Sequence, residues 1–171
     1  MHKLQKTGLA PIAPRGARVL ILGSLPGDAS LTASRYYAHP RNQFWQLVGN
    51  VIHRELVSLA YDDRLDCLAM SSIALWDMVA VGRRRGSLDA ALFVDELADI
   101  AGLISRLPDI TAVAFNGIKA AKLGAGVAPL CTVPRLTLPS SSPANTMPVA
   151  AKQAVWNSLA KYLPPRHAHG S

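Results

Sequence analysis

The sequence predicts an α/β domain of three layers, with a four-stranded, mainly parallel sheet between helices. Two observations predict it. Short apolar runs alternate with segments whose apolar residues recur at helical spacing, and each run ends in a Gly, Asn or Pro/Ser turn. The chain also has 171 residues, half of them hydrophobic and 17% charged, which suits one folded unit able to bury its own core. No internal repeat or second-domain boundary is visible. Residues 1–171 therefore read as a single domain, with 1–16 a peripheral extension and 164–171 a frayed tail.

Ala17 to Leu22 is an unbroken apolar run and reads as the first strand. From Asn42 to Leu56, Phe44, Leu47, Val48, Val51 and Ile52 recur at the spacing of one helix face. Ser72 to Val79 reads as a second strand, and Gly82 to Ser87 as a charged turn. A helix then carries Leu97, Ile100, Ile104 and Leu107 on one face and ends near Pro108. Ile110 to Phe115 is the third strand, broken by Asn116-Gly117, and a short helix runs to about Gly124. Thr132 to Leu138 is the fourth strand. The loop Pro139 to Asn145 leads into a last helix, with Pro148 near its first turn and Val149, Val155, Trp156, Leu159 and Leu163 as its apolar positions.

Composition narrows the function. The net charge of +7 favours a polyanionic partner, although many basic domains bind none. Two cysteines, Cys67 and Cys131, are too few for a disulfide scaffold, zinc finger or iron–sulfur cluster and read as small buried thiols. No segment reaches the ~20 apolar residues of a membrane span, so a soluble cytoplasmic protein is expected.

In a parallel sheet, ligands bind beyond the carboxyl ends of the strands. The unusual residues of this chain fall there: Gly23 to Asn42, Trp76-Asp77, Asn116 to Lys119, and Pro139 to Asn145. Each has a plain structural reading. Gly23 and Gly27 can serve only a tight turn, and Tyr36 and Tyr37 can be half-buried aromatics. Phe44 and Trp45 suit the core beneath the site, and Asn116-Gly117 is a common turn pair. Ser140 to Ser142 can cap the last helix. Arg83 to Arg85 can be a solvated turn, and His39 alone is weak evidence for a base. There is no nucleophile elbow, P-loop lysine, dinucleotide fingerprint or metal-ligand spacing. Chemistry here must rest on amides, hydroxyls and backbone groups.

The segment GSLPGDASLTASRYYAHPRNQFW resembles the first motif of the uracil-DNA glycosylase superfamily, LPSSSPAN its second, and FNGIKA the third-strand segment between them. The pattern is most similar to the hypoxanthine-DNA glycosylase branch, family 6. The resemblance spans Val19 to Asn145 and implies a uracil-DNA glycosylase-like fold with duplex DNA, containing a damaged base, across the carboxyl edge. It implies a likewise monomeric enzyme that uses no metal or cofactor. It implies Asn42 and Asn116 as the catalytic amides and Tyr37 as the ring that stacks on the flipped base, with Ser24, Leu25 and Asp77 around that base. Gly23, Pro26, Gly27, Ser140, Ser141, Ser142, Pro143 and Lys119 are implied as DNA contacts. Leu25 stands where other branches carry a water-activating Asp or Asn. Pro143-Ala144 replaces the Ala-Arg of the thymine enzymes.

The implied activity is excision of hypoxanthine from deoxyinosine by hydrolysis of the N-glycosidic bond, in base excision repair. Such an enzyme extrudes the nucleotide, offsets a few kcal/mol of unstacking, and regains about 1–3 kcal/mol by stacking the base on an aromatic ring. Lys119 and Arg83 to Arg85 are expected to add salt-dependent attraction. Three alternatives stand beside this: a uracil or mismatch glycosylase, a non-catalytic nucleic-acid-binding module (for which Leu25 speaks), and a small-molecule hydrolase using His39 and a loop serine.

Overall fold

Along Val19–Gly23 every residue is buried, because this strand has helices on both faces. The computed structural model describes residues 4–85, 91–127 and 133–165. In chain order the elements are β1 (Gln5–Thr7), β2 (Val19–Gly23), α1 (Asp28–Ala33), α2 (Phe44–Ile52), α3 (Tyr61–Met70), β3 (Ile73–Asp77), β4 (Val79–Arg83) and β5 (Phe93–Leu97). There follow α4 (Ile100–Ser105), β6 (Ala112–Asn116), α5 (Ile118–Ala125), β7 (Arg135–Leu138) and α6 (Val149–Trp156), which continues as a 3-10 helix over Asn157–Tyr162. The main sheet has four strands in the order β3-β2-β6-β7, and every pairing in it is parallel.

Strand alternation sorts the core into two halves. Val19, Ile21, Ile73, Leu75, Ala112 and Ala114 face α2, α3, Trp156 and Leu159. Leu20, Leu22, Ala74, Val113 and Phe115 face Ile100, Leu103, Leu107 and Ala120, on the side of α4 and α5. A fully buried aliphatic side chain is worth about 1.5–3 kcal/mol, so these two sets dominate over local propensity. The three-layer arrangement with four parallel strands, expected from the sequence, is the one observed.

Several expectations are corrected. Gly82 and Arg83 are not in a turn but on β4, part of a second, three-stranded antiparallel sheet in the order β1-β4-β5. The expected second strand, Ser72 to Val79, is divided between the two sheets, and only Met78 separates β3 from β4. Leu97 ends β5 and is exposed, so the helix after it begins at Ile100, where the Asp99 side chain accepts from the Gly102 N–H. Helix α3, Tyr61–Met70, has no counterpart among the expected elements, and buries Cys67 and Leu68. The predicted helix from Asn42 is shorter: His53, with φ of 56°, closes α2 in the left-handed region. Thr132, Cys131, Gly86, Ser87 and the last six residues lie outside the described set.

The N-terminal segment is not peripheral. Gly8 N–H donates to the Ala80 carbonyl at 2.9 Å, and Ile12 exchanges two backbone hydrogen bonds with Leu75. The Tyr36 hydroxyl donates to the Ala10 carbonyl at 2.8 Å, and Trp76 Nε1 donates to that of Leu9. Among the described residues no helix is long and apolar enough to cross a membrane.

Helix α5 reaches β6 because Gly124 has no side chain. A Cβ there would fall inside the Phe115 ring. Replacing Gly124 with Ala gains at most about 1 kcal/mol of helix propensity, whereas overpacking costs about 1–3 kcal/mol. Gly124→Ala should therefore lower stability by about 1–2 kcal/mol in urea unfolding; a variant as stable as the parent would show that the ring gives way freely.

Candidate active site

The carboxyl ends of β2, β3, β6 and β7 open into one cavity of about 580 Å³. Gly23 to Gly27 form one wall as the chain leaves β2. Asp77 comes from β3, Asn116 from β6, and Ser140 to Asn145 from the loop after β7. Tyr36, Tyr37, His39 and Asn42 close the opposite side, and α1 adds Ala29 and Ser30. The structure thus brings together Gly23, Ser24, Leu25, Pro26, Gly27, Tyr37, Asn42, Asp77, Asn116, Ser140, Ser141, Ser142 and Pro143. Lys119 is not among the lining residues; it lies on α5, half-buried. Ala29 and Ser30 were missed because nothing in the apolar spacing marks the six-residue α1.

Asn116 is the hub. It is 8% exposed and sits at the end of β6. Its Nδ2 donates to Ser141 Oγ at 2.9 Å and to the Tyr37 hydroxyl at 3.2 Å. Its Oδ1 accepts from the Ser141 N–H at 2.9 Å. Three segments distant in sequence therefore meet on one side chain. Gly117 makes the turn possible, with φ of 104°.

Tyr37 is half-buried and held by both its backbone and its ring. Its backbone is in the left-handed region, with φ of 52°, which is unfavourable for a bulky residue. Its carbonyl accepts from Trp45 Nε1 at 3.2 Å. One face of its ring stacks on Phe44, with centroids 3.8 Å apart and planes 15° from parallel. Phe44 and Trp45 are buried, as expected for the layer beneath the site. Tyr36 is also buried; burial first, and then the charge of Asp77, push its phenol far above its ordinary range, so it remains a neutral donor.

Asp77, 5% exposed, lies opposite Gly23 in the β2–β3 register. Its Oδ1 occupies the space that a Cβ on residue 23 would need, so any other residue there would displace the Asp77 carboxylate. His39 is exposed and its Nδ1 accepts from the Arg41 N–H at 3.1 Å, which is a turn role. Asn42 Oδ1 accepts from the Phe44 N–H at 3.0 Å at the start of α2.

The three serines hold their own loop. Ser140 Oγ accepts from the Ser142 N–H, Ser142 Oγ from the Ala144 N–H, and the buried Ser141 belongs to the Asn116 network. The Ser141 carbonyl accepts from the Gln43 N–H at 3.0 Å, and Trp156 Nε1 donates to the Pro139 carbonyl at 2.9 Å. Lys152 is buried behind this loop and donates to Gln43 Oε1 at 2.9 Å and to the Ser142 carbonyl at 3.3 Å. Burial pulls its ammonium below the ordinary lysine range.

Two sequence readings change here. Leu25, 5% exposed, packs with Val79 and Leu92, so the position that carries an acid or amide in other branches is set in an apolar cluster. Arg83 to Arg85 are not a plain solvated turn. Arg83 pairs with Asp95 across β4 and β5 at 3.1 Å, and Arg84 is 3% exposed, with its guanidinium bonded to the Leu25 and Pro26 carbonyls.

A slot walled by a stacked ring, floored by a carboxylate and an amide, and set at the carboxyl edge of four parallel strands is a site for a planar, hydrogen-bonding ring. The family model of the uracil DNA glycosylase superfamily matches residues 10–160, and the chain belongs to that superfamily. Within it, two relatives named hypoxanthine DNA glycosylase are each 34% identical. That of Methanosarcina barkeri aligns over 90% of this chain and 96% of its own length, and that of Methanosarcina acetivorans over 92% and 99%. A solution NMR structure of a candidate uracil DNA glycosylase from Methanosarcina acetivorans superposes with a TM-score of 0.83 at 34% identity, covering 92% of this chain and 98% of that one.

The surroundings of Leu25 decide what an acid there would do. A carboxylate in the Val79–Leu92 cluster is desolvated at a cost of several kcal/mol. Leu25→Asp should therefore lower the melting temperature and gain no uracil release. A stable variant with new uracil activity would place the side chain of residue 25 in the reaction path.

Proposed function

We propose that this chain is a monofunctional DNA glycosylase that hydrolyses the N-glycosidic bond of deoxyinosine in duplex DNA and releases hypoxanthine. The observation that carries the reading is the similarity, over nine-tenths of the chain, to two relatives of that name. The cavity supports it, with Tyr37 stacked on Phe44 and with Asp77 and Asn116 beside it. The cavity is lined by residues of a single chain, in keeping with a monomer. The charge of +7 supports sequence-independent attraction to DNA.

A base paired inside a duplex cannot enter this slot, so the nucleotide is extruded first. The hypoxanthine ring stacks on the Tyr37 face that Phe44 leaves open, which recovers about 1–3 kcal/mol. Hypoxanthine presents an N1–H donor, which Asp77 can accept; adenine presents a bare acceptor at N1, which a carboxylate repels. The C1′–N9 bond then breaks, its electron pair leaves with the purine, and the sugar develops oxocarbenium character. Water adds at C1′ and loses one proton, and the departing purine anion takes up one, so the net products are the abasic sugar and neutral hypoxanthine. Donors near the purine lower this barrier by stabilising its developing negative charge.

Asn42 is the proposed water-orienting group. Its Oδ1 is engaged by the Phe44 N–H, so its NH2 is the group with hydrogen bonds to give. Asn116 sets the Tyr37 hydroxyl and the Ser141 loop at the pocket's centre and contacts the purine or sugar by exchanging one of these bonds. Gly23, Ser24, Pro26, Gly27, Ser140, Ser142 and Pro143 line the mouth and contact the extruded nucleotide and its phosphates. Lys119 adds charge outside the cavity.

Purified protein should cut inosine-containing duplexes in excess chelator, measured by alkaline cleavage of the abasic product. Strong uracil release without inosine release would move the substrate within the superfamily, and release of neither would favour a binding module.

Asn42→Ala should lower single-turnover cleavage by about 10–1000-fold. Asn42→Asp keeps the acceptor for the Phe44 N–H but loses the amide donor, so it should be equally slow and more stable. A fast Asn42→Asp enzyme would reduce Asn42 to a turn residue ahead of α2.

Asn116→Ala should cost more than about tenfold, since it removes a bonded group at the reacting centre. Tyr37→Ala should cut inosine cleavage while leaving the salt dependence of DNA binding unchanged. A wild-type rate in either variant would remove that residue from the site.

A further inference from the structure

Arg84 lies one residue beyond β4, outside the cavity lining, yet it is among the most buried charged groups described, at 3% exposure. A buried guanidinium is retained only where acceptors meet it. Its acceptors include two successive backbone carbonyls of the cavity wall: Nη1 donates to Leu25 O at 3.2 Å, and Nη2 to Pro26 O at 2.6 Å. All of the wall from Gly23 to Gly27 lines the cavity. We infer that Arg84 is a positioning residue for the reaction, which clamps the Leu25–Gly27 turn from behind and thereby aims a backbone donor at the extruded nucleotide.

The direction follows from peptide geometry. In a trans peptide unit the C=O and N–H point opposite ways. The unit that carries the Pro26 carbonyl also carries the Gly27 N–H. Its oxygen is drawn toward Arg84, behind the wall, so its N–H faces the other way, on the cavity side. The preceding unit ends in Pro26 nitrogen and has no N–H to offer. Gly27 N–H is thus the donor that the clamp controls. A cation at the carbonyl also polarises the peptide unit and strengthens that donor. The β4–β5 hairpin, none of whose described residues lines the cavity, thereby acquires a task in the active site.

This inference rests on the glycosylase reading, and its test separates the two. Arg84→Lys keeps the charge but cannot bond two successive carbonyls with a planar fork. Its single-turnover inosine cleavage should fall about 10–100-fold, the scale of a misplaced catalytic contact. Affinity for an uncleavable inosine-analogue duplex should change less than about threefold, and the melting temperature by only a few degrees. In Arg84→Ala, methylguanidinium should restore part of the lost rate, whereas methylammonium should not. Arg84→Lys should also change the rate of Gly27 amide exchange with solvent, followed by NMR on protein without DNA. If the wild type cuts no inosine duplex, the glycosylase reading fails, and the Gly27 exchange alone then tests the clamp. Unchanged Gly27 exchange in Arg84→Lys overturns the inference, as does a wild-type cleavage rate in that variant. A rate loss that merely follows the unfolded fraction does the same.

Discussion

One amide group ties the site together. Asn116 meets Ser141 through two hydrogen bonds and Tyr37 through a third. The Gln43–Ser141 backbone bond and the Lys152 bridge also tie the loop after β7 to the start of α2. A buried amide must satisfy its polar atoms, and Asn116 does so only when both loops are in place. The cavity therefore assembles as a unit. The strain of Tyr37 in the left-handed region, of order 1–3 kcal/mol, is balanced by the same contacts together with Phe44 and Trp45.

The second constraint is electrostatic. Two of the loop walls are backed by a buried cation, Arg84 behind Leu25-Pro26 and Lys152 behind Ser142. Arg84 grips two backbone carbonyls and Lys152 one, so each cation holds loop backbone from outside the cavity lining. Neither residue lines the cavity. The chain spends two costly buried charges on loop orientation, while the polar side chains within the slot are amides, hydroxyls, His39 and the single carboxylate of Asp77.

The main sheet was legible because its strands obey simple rules. Val19–Gly23 and Ala112–Asn116 are buried on both faces and read as continuous apolar runs. The site was legible because polar and aromatic residues cluster where such strands end. The second sheet was not. All five residues of β5 are exposed, so no apolar alternation marks it. Gly82 and a run of three arginines imitate a turn, and the burial of Arg84 depends on carbonyls some sixty residues away in sequence. Helix α3 was hidden for a related reason: its buried residues, Cys67 and Leu68, are adjacent rather than spaced along a face. Leu25 looked like a missing functional group, but its meaning lay in neighbours brought by β4.

The junction at Met78 carries a consequence for how this architecture can vary over time. The two sheets are spliced by that one buried residue, and Met78 and Val79 N–H groups donate to the Gly23 and Ser24 carbonyls at 2.8 and 2.9 Å. Loops elsewhere on the surface tolerate added residues, because their ends need only stay close together. This splice has no such slack. One inserted residue would shift either Asp77 or the whole antiparallel hairpin out of step with the turn after β2. The register of the small sheet is therefore fixed to that of the catalytic edge.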